Sequence, residues 1–329
     1  MIPGDLAGFF PEERRRSLGD PGVTGWDIPL NLLFMDGIAQ PGAGLAPVEV
    51  LVTGVEAVPL VLASPHSGKD YSAEFLAASR LDPLTLRRSE DSYVDEIFAG
   101  ALELGAPLLR ARFPRAFLDP NREPFELDPA MFEDLLPNFV NSHSPRVRVG
   151  LGTIARVVAS GEEIYARKLK FSEAASRIER LYRPYHRALN QLLNAARERF
   201  GFAVLLDCHS MPSAASDRER GTRLGRADIV LGDCHGTSCH PAITETAQRW
   251  LTDKGYSVAR NAPYAGGYTT AHYGRPDEGS HCLQIEINRG LYMDERSFAR
   301  KPFLARLVED MRDMAGGLAA IEPGLLRPS

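Results

Sequence analysis

Along the chain, short apolar runs alternate with longer stretches of helical period. The run Ala203-Val204-Leu205-Leu206 is the clearest of them, and it stops abruptly at Asp207-Cys208-His209-Ser210. A run of this kind reads as a buried strand. In an open α/β sheet, the site lies beyond the carboxyl ends of the strands. Val48–Val52, Pro59–Ala63, Pro107–Phe113, Asp228–Leu231, Tyr256–Ala259 and His281–Ile287 read as further strands, and Val149–Val158 as another. Tyr93, Ile97, Phe98, Ala101 and Leu102 share one helical face, which Gly105 terminates. Asp91 and Asp95, four apart, are expected to share a face near the start of that helix. Asp82-Pro83 also reads as a helix start. Ser172–Phe200 predicts the longest helix, kinked near Pro184 and stopped at Gly201. Another helix is predicted over Pro241–Lys254 and a last one from about Asp294 onwards, while Asn261–Gly274 reads as a glycine- and tyrosine-rich loop. Strands alternating with helices predict an α/β fold. Residues 1–45, rich in Gly and Pro, are expected to wrap the surface, and 46–329 to form a single α/β domain, since no linker divides them.

Composition removes several function classes. The formal net charge of −5 implies no general affinity for nucleic acid. No apolar run approaches the roughly 18 residues needed to cross a bilayer. Met1 to Asp20 lacks a basic segment followed by an apolar one, so no signal peptide is expected. Cys208, Cys234, Cys239 and Cys282 show no framework spacing, which fits a reduced, cytoplasmic setting. A P-loop, a dinucleotide fingerprint and a Gly-x-Ser-x-Gly elbow are all absent. Oligomeric state is not legible.

The candidate chemistry sits at the strand ends. His66, in Ser64-Pro65-His66-Ser67-Gly68, and His209 each follow an apolar strand. His143, His186, His240 and His281 read as structural. A catalytic zinc needs three protein ligands and an open position for water. Asp91 is the best third ligand, with adjacent Glu90 as the alternative, although acids at a helix start also offset the macrodipole. Glu286 lies among apolar residues in Leu283-Gln284-Ile285-Glu286-Ile287. If buried, its pKa rises towards that of a general base; if the strand simply alternates, it faces water. Arg115 and Arg122 flank the Pro-rich loop after another strand, where each is suited to a carboxylate, an oxyanion or a surface ion pair. Cys234-His235 and Cys239-His240 lack a standard zinc spacing. Cys208 and His209, adjacent in a strand, point to opposite faces and cannot pair directly.

Six motifs in order carry a family resemblance: Pro-His-Ser-Gly (65–68), Glu-Asp-Ser-Tyr-Val-Asp-Glu (90–96), Asp-Pro-Asn-Arg-Glu-Pro (119–124), Asp-Cys-His-Ser (207–210), Gly-Gly-Tyr-Thr-Thr-Ala-His-Tyr-Gly (266–274) and Leu-Gln-Ile-Glu-Ile (283–287). Together, over about residues 60 to 295, they resemble the N-formylglutamate amidohydrolase family. That family is similar to the zinc carboxypeptidase and aspartoacylase group. The resemblance implies a three-layer α/β fold, with a mixed, mostly parallel central sheet and helices on both faces. It implies one zinc per chain on His66, Asp91 and His209, with Glu286 as base and Arg115 polarising the scissile carbonyl. Asn121 and Arg122 are then expected to grip a substrate carboxylate, with Tyr268 and Thr269 lining the pocket. Two positions depart from the family pattern, which usually carries Arg: Ala271, and Pro212 after the metal motif. The expected function is zinc-dependent hydrolysis of a small N-acyl amino acid. The alternatives are a metallocarboxypeptidase-like peptidase and a catalytically silent binding protein of the same fold.

Overall fold

The apolar runs become β1 (Val48–Leu51), β2 (Leu60–Ser64), β3 (Leu108–Ala111), β4 (Ala203–Met211), β5 (Ile229–Gly232), β6 (Val258–Arg260) and β7 (Ser280–Asn288). They are seen in a computed structural model that describes residues 46–213 and 227–328. The strands form one sheet in the order β1-β3-β2-β4-β7-β5-β6. β1 against β3 and β5 against β7 are antiparallel, and every other neighbouring pair is parallel. The expected 1–45 segment lies outside the described residues.

Strand periodicity of two sorts the side chains onto two faces. On one face, Val204, Leu206 and Cys208 of β4 join Leu283, Ile285 and Ile287 of β7. They pack against the helices Val94–Phe98, Pro241–Asp253 and Phe303–Ala319. On the other face, Ala203, Leu205 and Cys282 meet Tyr185, Leu189 and Leu193 of the helix Arg183–Phe200. Helices therefore cover both faces, and the three-layer architecture with a mixed, mostly parallel sheet is as expected. Past Leu205 and Cys282 the second face turns polar. In the parallel register of β4 and β7, Asp207 lies opposite Gln284 and His209 opposite Glu286. The chain leaves β2 for β3 on one side and returns to β4 on the other. The polar patch thus lies at a topological switch point, where α/β sheets hold their sites.

Several elements differ from expectation. β4 runs on through Met211, so His209 lies inside the strand rather than beyond it. Val149–Val158 is not a strand. Its backbone bonds go to the loops around it, with Thr153 N donating to Glu126 O at 2.8 Å and Asp119 N to Thr153 O at 2.8 Å. The supposed loop Asn261–Gly274 contains a helix, Tyr268–Tyr273, whose Thr270 hydroxyl accepts from Gly267 N at 3.1 Å. The last helix starts at Phe303, not near Asp294, because Asp294 Oδ1 caps a separate turn by accepting from Ser297 N at 2.8 Å. The long helix does break at its proline: a π-helical turn, Ile178–Tyr182, precedes Arg183–Phe200, as expected where Pro184 lacks an N–H. No helix among the described residues is long and apolar enough to cross a membrane.

Ile285 sits at the centre of β7 with no exposed surface. Ile285→Ala is expected to cost about 3 kcal/mol through lost burial and a residual cavity, read as a lower urea midpoint with unchanged m-value.

Candidate functional site

The loop after β2 delivers His66 to the polar face, and Gly68 permits that path. A Cβ on Gly68 would collide with the carbonyl oxygen of Phe113, where the chain leaves β3. Asp91 comes from the turn before the helix Val94–Phe98, not from the helix itself. It therefore does not share a helical face with Asp95, which instead pairs with Arg110 at 2.7 Å. Tyr93 makes that turn in the left-handed region, at φ 69°. The strain of such a residue is of order 1–3 kcal/mol, offset by its Oη donating to Phe298 O at 2.7 Å and by Arg300 lying 4.6 Å over its ring. Asp91 N donates to His66 O at 3.0 Å, tying the two loops together.

His66 Nδ1, Asp91 Oδ2 and His209 Nδ1 converge. The separations are 3.1 Å between the two Nδ1 atoms, 3.1 Å from His209 to Asp91 and 3.3 Å from His66 to Asp91. All three residues are buried, and among the described residues they form the group able to hold a metal. Glu90 is not part of it. Its carboxylate accepts from Tyr71 Oη at 2.7 Å, Ser92 Oγ at 2.8 Å and Arg87 Nε at 3.2 Å.

The remaining ring nitrogens face carboxylates. His66 Nε2 lies 2.7 Å from Asp119 Oδ1, and His209 Nε2 lies 2.9 Å from Asp207 Oδ1. His66 donates Nε2–H outward to Asp119 and so turns a lone pair inward at Nδ1, whereas His209 Nε2 faces both Asp207 Oδ1 and the Asn121 amide nitrogen, the latter at 3.0 Å. The two Nδ1 atoms and Asp91 Oδ2 thus crowd one another, an arrangement that needs a proton or a metal cation between them. A tetrahedral zinc with bonds of about 2.0–2.1 Å separates its ligands by about 3.3–3.4 Å, close to the spacing seen. Carboxylate-backed histidines are also the usual outer arrangement of metal sites. The donor set therefore fits a divalent metal of zinc type.

Electrostatics agree. Burial opposes ionisation of Asp91, but hydrogen bonds from His209 and His66 and the Arg289 charge outweigh it, holding the carboxyl well below the usual range. Asp119 is likewise depressed against its burial, by Arg122, His66 and Arg115. His209, although buried, is pushed well above the ordinary histidine range by Asp207 and Asp91. The pocket thus draws positive charge.

Glu286 is buried beside this group, not turned to water, and burial pushes its carboxyl up to about 7. Its Oε1 accepts from Gln284 Nε2 at 2.9 Å. Gln284 Oε1 accepts from Thr270 Oγ1 at 3.2 Å, a hydroxyl that also lies 3.3 Å from Asp207 Oδ2. Arg115 Nε donates to Asp119 Oδ2 at 3.0 Å. Among the described residues its two Nη nitrogens have no protein partner.

Arg122 and Asn121 are placed differently from expectation. Arg122 is spent on Leu151 O at 2.8 Å, Asn121 O at 2.7 Å and Asp119 Oδ2 at 3.4 Å. Asn121 Oδ1 accepts from Thr269 N at 2.8 Å, which directs its Nδ2 towards Asp207 Oδ2 at 3.3 Å. A Cβ on Gly267 would collide with the same Asn121 amide. Thr269 is fully buried, whereas Tyr268 is half-buried and stacks on His272 at 5.0 Å.

Sequence reasoning missed the supporting residues Asp119, Asp207, Ser210, Gln284 and Arg289. Asp207 and Gln284 carried a usable signal, since each stands two residues before a candidate on the same strand face. Nothing local marked Arg289. His240 and His281 have structural roles: His240 caps the helix Pro241–Asp253, and His281 Nε2 lies 2.8 Å from Leu326 O. All four cysteines are free.

Carboxylates, imidazoles and an arginine gather at the ends of the central parallel strands, where α/β enzymes hold their sites. Residues 58–293 match the family described as N-formylglutamate amidohydrolase. The chain belongs to that family and is thereby an amide hydrolase of the class acting on linear amides. It is similar to the crystal structure of N-formylglutamate amidohydrolase from Ralstonia eutropha JMP134, with 40% identity and a TM-score of 0.79, covering 84% of this chain and 98% of that one. It is 28% identical over 241 residues to N-formylglutamate deformylase of Pseudomonas putida, covering 72% of this chain and 83% of the relative. The corresponding Pseudomonas aeruginosa protein is 29% identical over 252 residues, covering 75% and 87%.

Removing an outer carboxylate should loosen metal without deleting a ligand. Asp119→Asn and Asp207→Asn are each expected to weaken zinc binding about 10–100-fold, measured by chelator competition. Glu90→Gln should leave it unchanged.

Proposed function

We propose that the chain is a cytoplasmic, zinc-dependent amidohydrolase that cleaves the acyl amide of a small N-acyl amino acid bearing a free carboxylate. N-formylglutamate, named for its relatives, is the first substrate to test. The observation that carries this reading is the convergence of His66, Asp91 and His209 beside a buried Glu286. His66 Nδ1, Asp91 Oδ2 and His209 Nδ1 would hold the metal. A bound divalent metal supplies Lewis acidity and lowers the pKa of water towards about 7.

The other steps belong to the chain's own groups. Glu286 carries a pKa suited to proton transfer near neutrality. With Oε1 held by Gln284, its Oε2 takes a proton from water as the water oxygen adds to the acyl carbon. The same carboxyl then returns the proton to the amine nitrogen as the C–N bond breaks. The Nη nitrogens of Arg115, without a protein partner among the described residues, would face negative charge, either the oxygen that develops it during addition or the substrate carboxylate. Asn121 and Arg122 act as positioning residues: Asn121 steadies Asp207 behind His209, and Arg122 steadies Asp119 behind His66. Tyr268, half-buried at the start of its helix, would line the substrate pocket, and Thr269 would fix Asn121 through its backbone.

With Ala271 and Pro212 in place of arginines, Arg115 supplies the cationic contact in this proposal. Among the described residues its Nη nitrogens have no protein partner, whereas each guanidinium nitrogen of Arg122 and Arg289 has one.

Glu286→Gln should lower kcat by about 10²–10⁴-fold with metal content unchanged. Retained activity would show that the base lies elsewhere. Arg115→Ala should lower kcat/KM by about 10²–10³-fold. Both are read on N-formyl, N-acetyl and N-succinyl amino acids beside dipeptides. Preference for dipeptides would replace this reading with a peptidase, and zinc binding without turnover of any amide would replace it with a binding protein.

A further inference from the structure

Arg289 is a buried cation for which the proposed chemistry has no use. It stands three residues after Glu286, at the start of the short helix Arg289–Tyr292, and its side chain is 7% exposed. Every nitrogen of its guanidinium is engaged. Nη1 donates to Arg88 O at 3.2 Å, Nε to Ser210 Oγ at 3.0 Å and Nη2 to Asp91 Oδ1 at 2.7 Å. Because Ser210 Oγ accepts from Nε, its own hydrogen is left for Asp91 Oδ1, 3.2 Å away. One carboxylate oxygen thus receives two donors, and its two lone pairs are used. The other oxygen, Oδ2, is the one that meets His66 and His209.

We infer that Arg289, through its direct bond and through Ser210, confines Asp91 to a single free oxygen, so that the carboxylate binds the metal through Oδ2 alone. Asp91 would then offer a bound metal one oxygen rather than two, leaving more room for water. Buried ion pairs give little net stability compared with apolar replacements, so fold stability alone does not account for a fully desolvated Arg–Asp pair at this place. An unbraced carboxylate is able to rotate and offer both oxygens, crowding the position where water must bind. Arg289 is on this view a positioning residue. The inference rests on the proposed metal centre and adds a claim about how that centre is shaped.

The test uses cobalt(II) in the full-length protein, since four-coordinate cobalt(II) absorbs visible light far more strongly than five- or six-coordinate cobalt(II). Wild type should show the intense band. Arg289→Met and Ser210→Ala should each lose intensity as the second Asp91 oxygen joins the metal, with affinity falling about 10–100-fold in chelator competition. Arg289→Lys, which keeps the charge but loses the fork, should recover part of the band. An unchanged band in Ser210→Ala and Arg289→Met overturns the inference, even if affinity drops, because a purely structural brace would do that. If Arg289→Met fails to fold, Ser210→Ala decides alone. Wild type that takes up no cobalt or zinc at all would instead overturn the metal centre itself.

Discussion

Three electron-pair donors brought within 3.1–3.3 Å of one another, out of water, are the constraint to which the surrounding structure answers. Two imidazole nitrogens and a carboxylate oxygen this close need a proton or a metal cation among them. Asp119 takes the outward N–H of His66, and Asp207 sets a second carboxylate 2.9 Å from His209 Nε2. Arg289 and Ser210 occupy the far oxygen of Asp91. The buried donor set fits a divalent cation.

The sheet makes this arrangement possible. Parallel β2 and β4 are neighbours, so the ends of both open on the same side. Pairing of β4 with β7 then sets Glu286 beside His209 with no loop between them. His209 and Glu286 therefore ride on two hydrogen-bonded strands at the centre of the sheet. The Pro-rich loop carrying Arg115 and the helix Tyr268–Tyr273 lie outside these two strands.

Much of this was legible in the sequence, for a physical reason. β4 and β7 are buried runs whose alternation breaks only where a polar group is needed, so His209 and Glu286 stand out against an apolar background. His66 stands out because Pro65 and Gly68 mark a turn leaving a strand. Other features were hidden. The Tyr268 helix lies in a glycine-rich stretch that reads as loop, and its start depends on the Thr270 hydroxyl rather than on an apolar face. Val149–Val158 has the composition of a strand but no strand beside it, so its backbone bonds go to loops. Asn121 and Arg122 invited a binding role because amides and guanidiniums grip carboxylates. Only the fold reveals that Asp119, Asp207 and the Thr269 backbone already claim them. Arg289 gave no signal, since its partner Asp91 lies 198 residues away in sequence.

The central claim is that His66, Asp91 and His209 bind one metal ion. The most direct measurement is anomalous diffraction at the zinc edge from crystals of the zinc-loaded protein. The expected result is a single strong peak among His66 Nδ1, Asp91 Oδ2 and His209 Nδ1, within bonding distance of all three. A map with no peak there, or with the zinc on other residues, would contradict it.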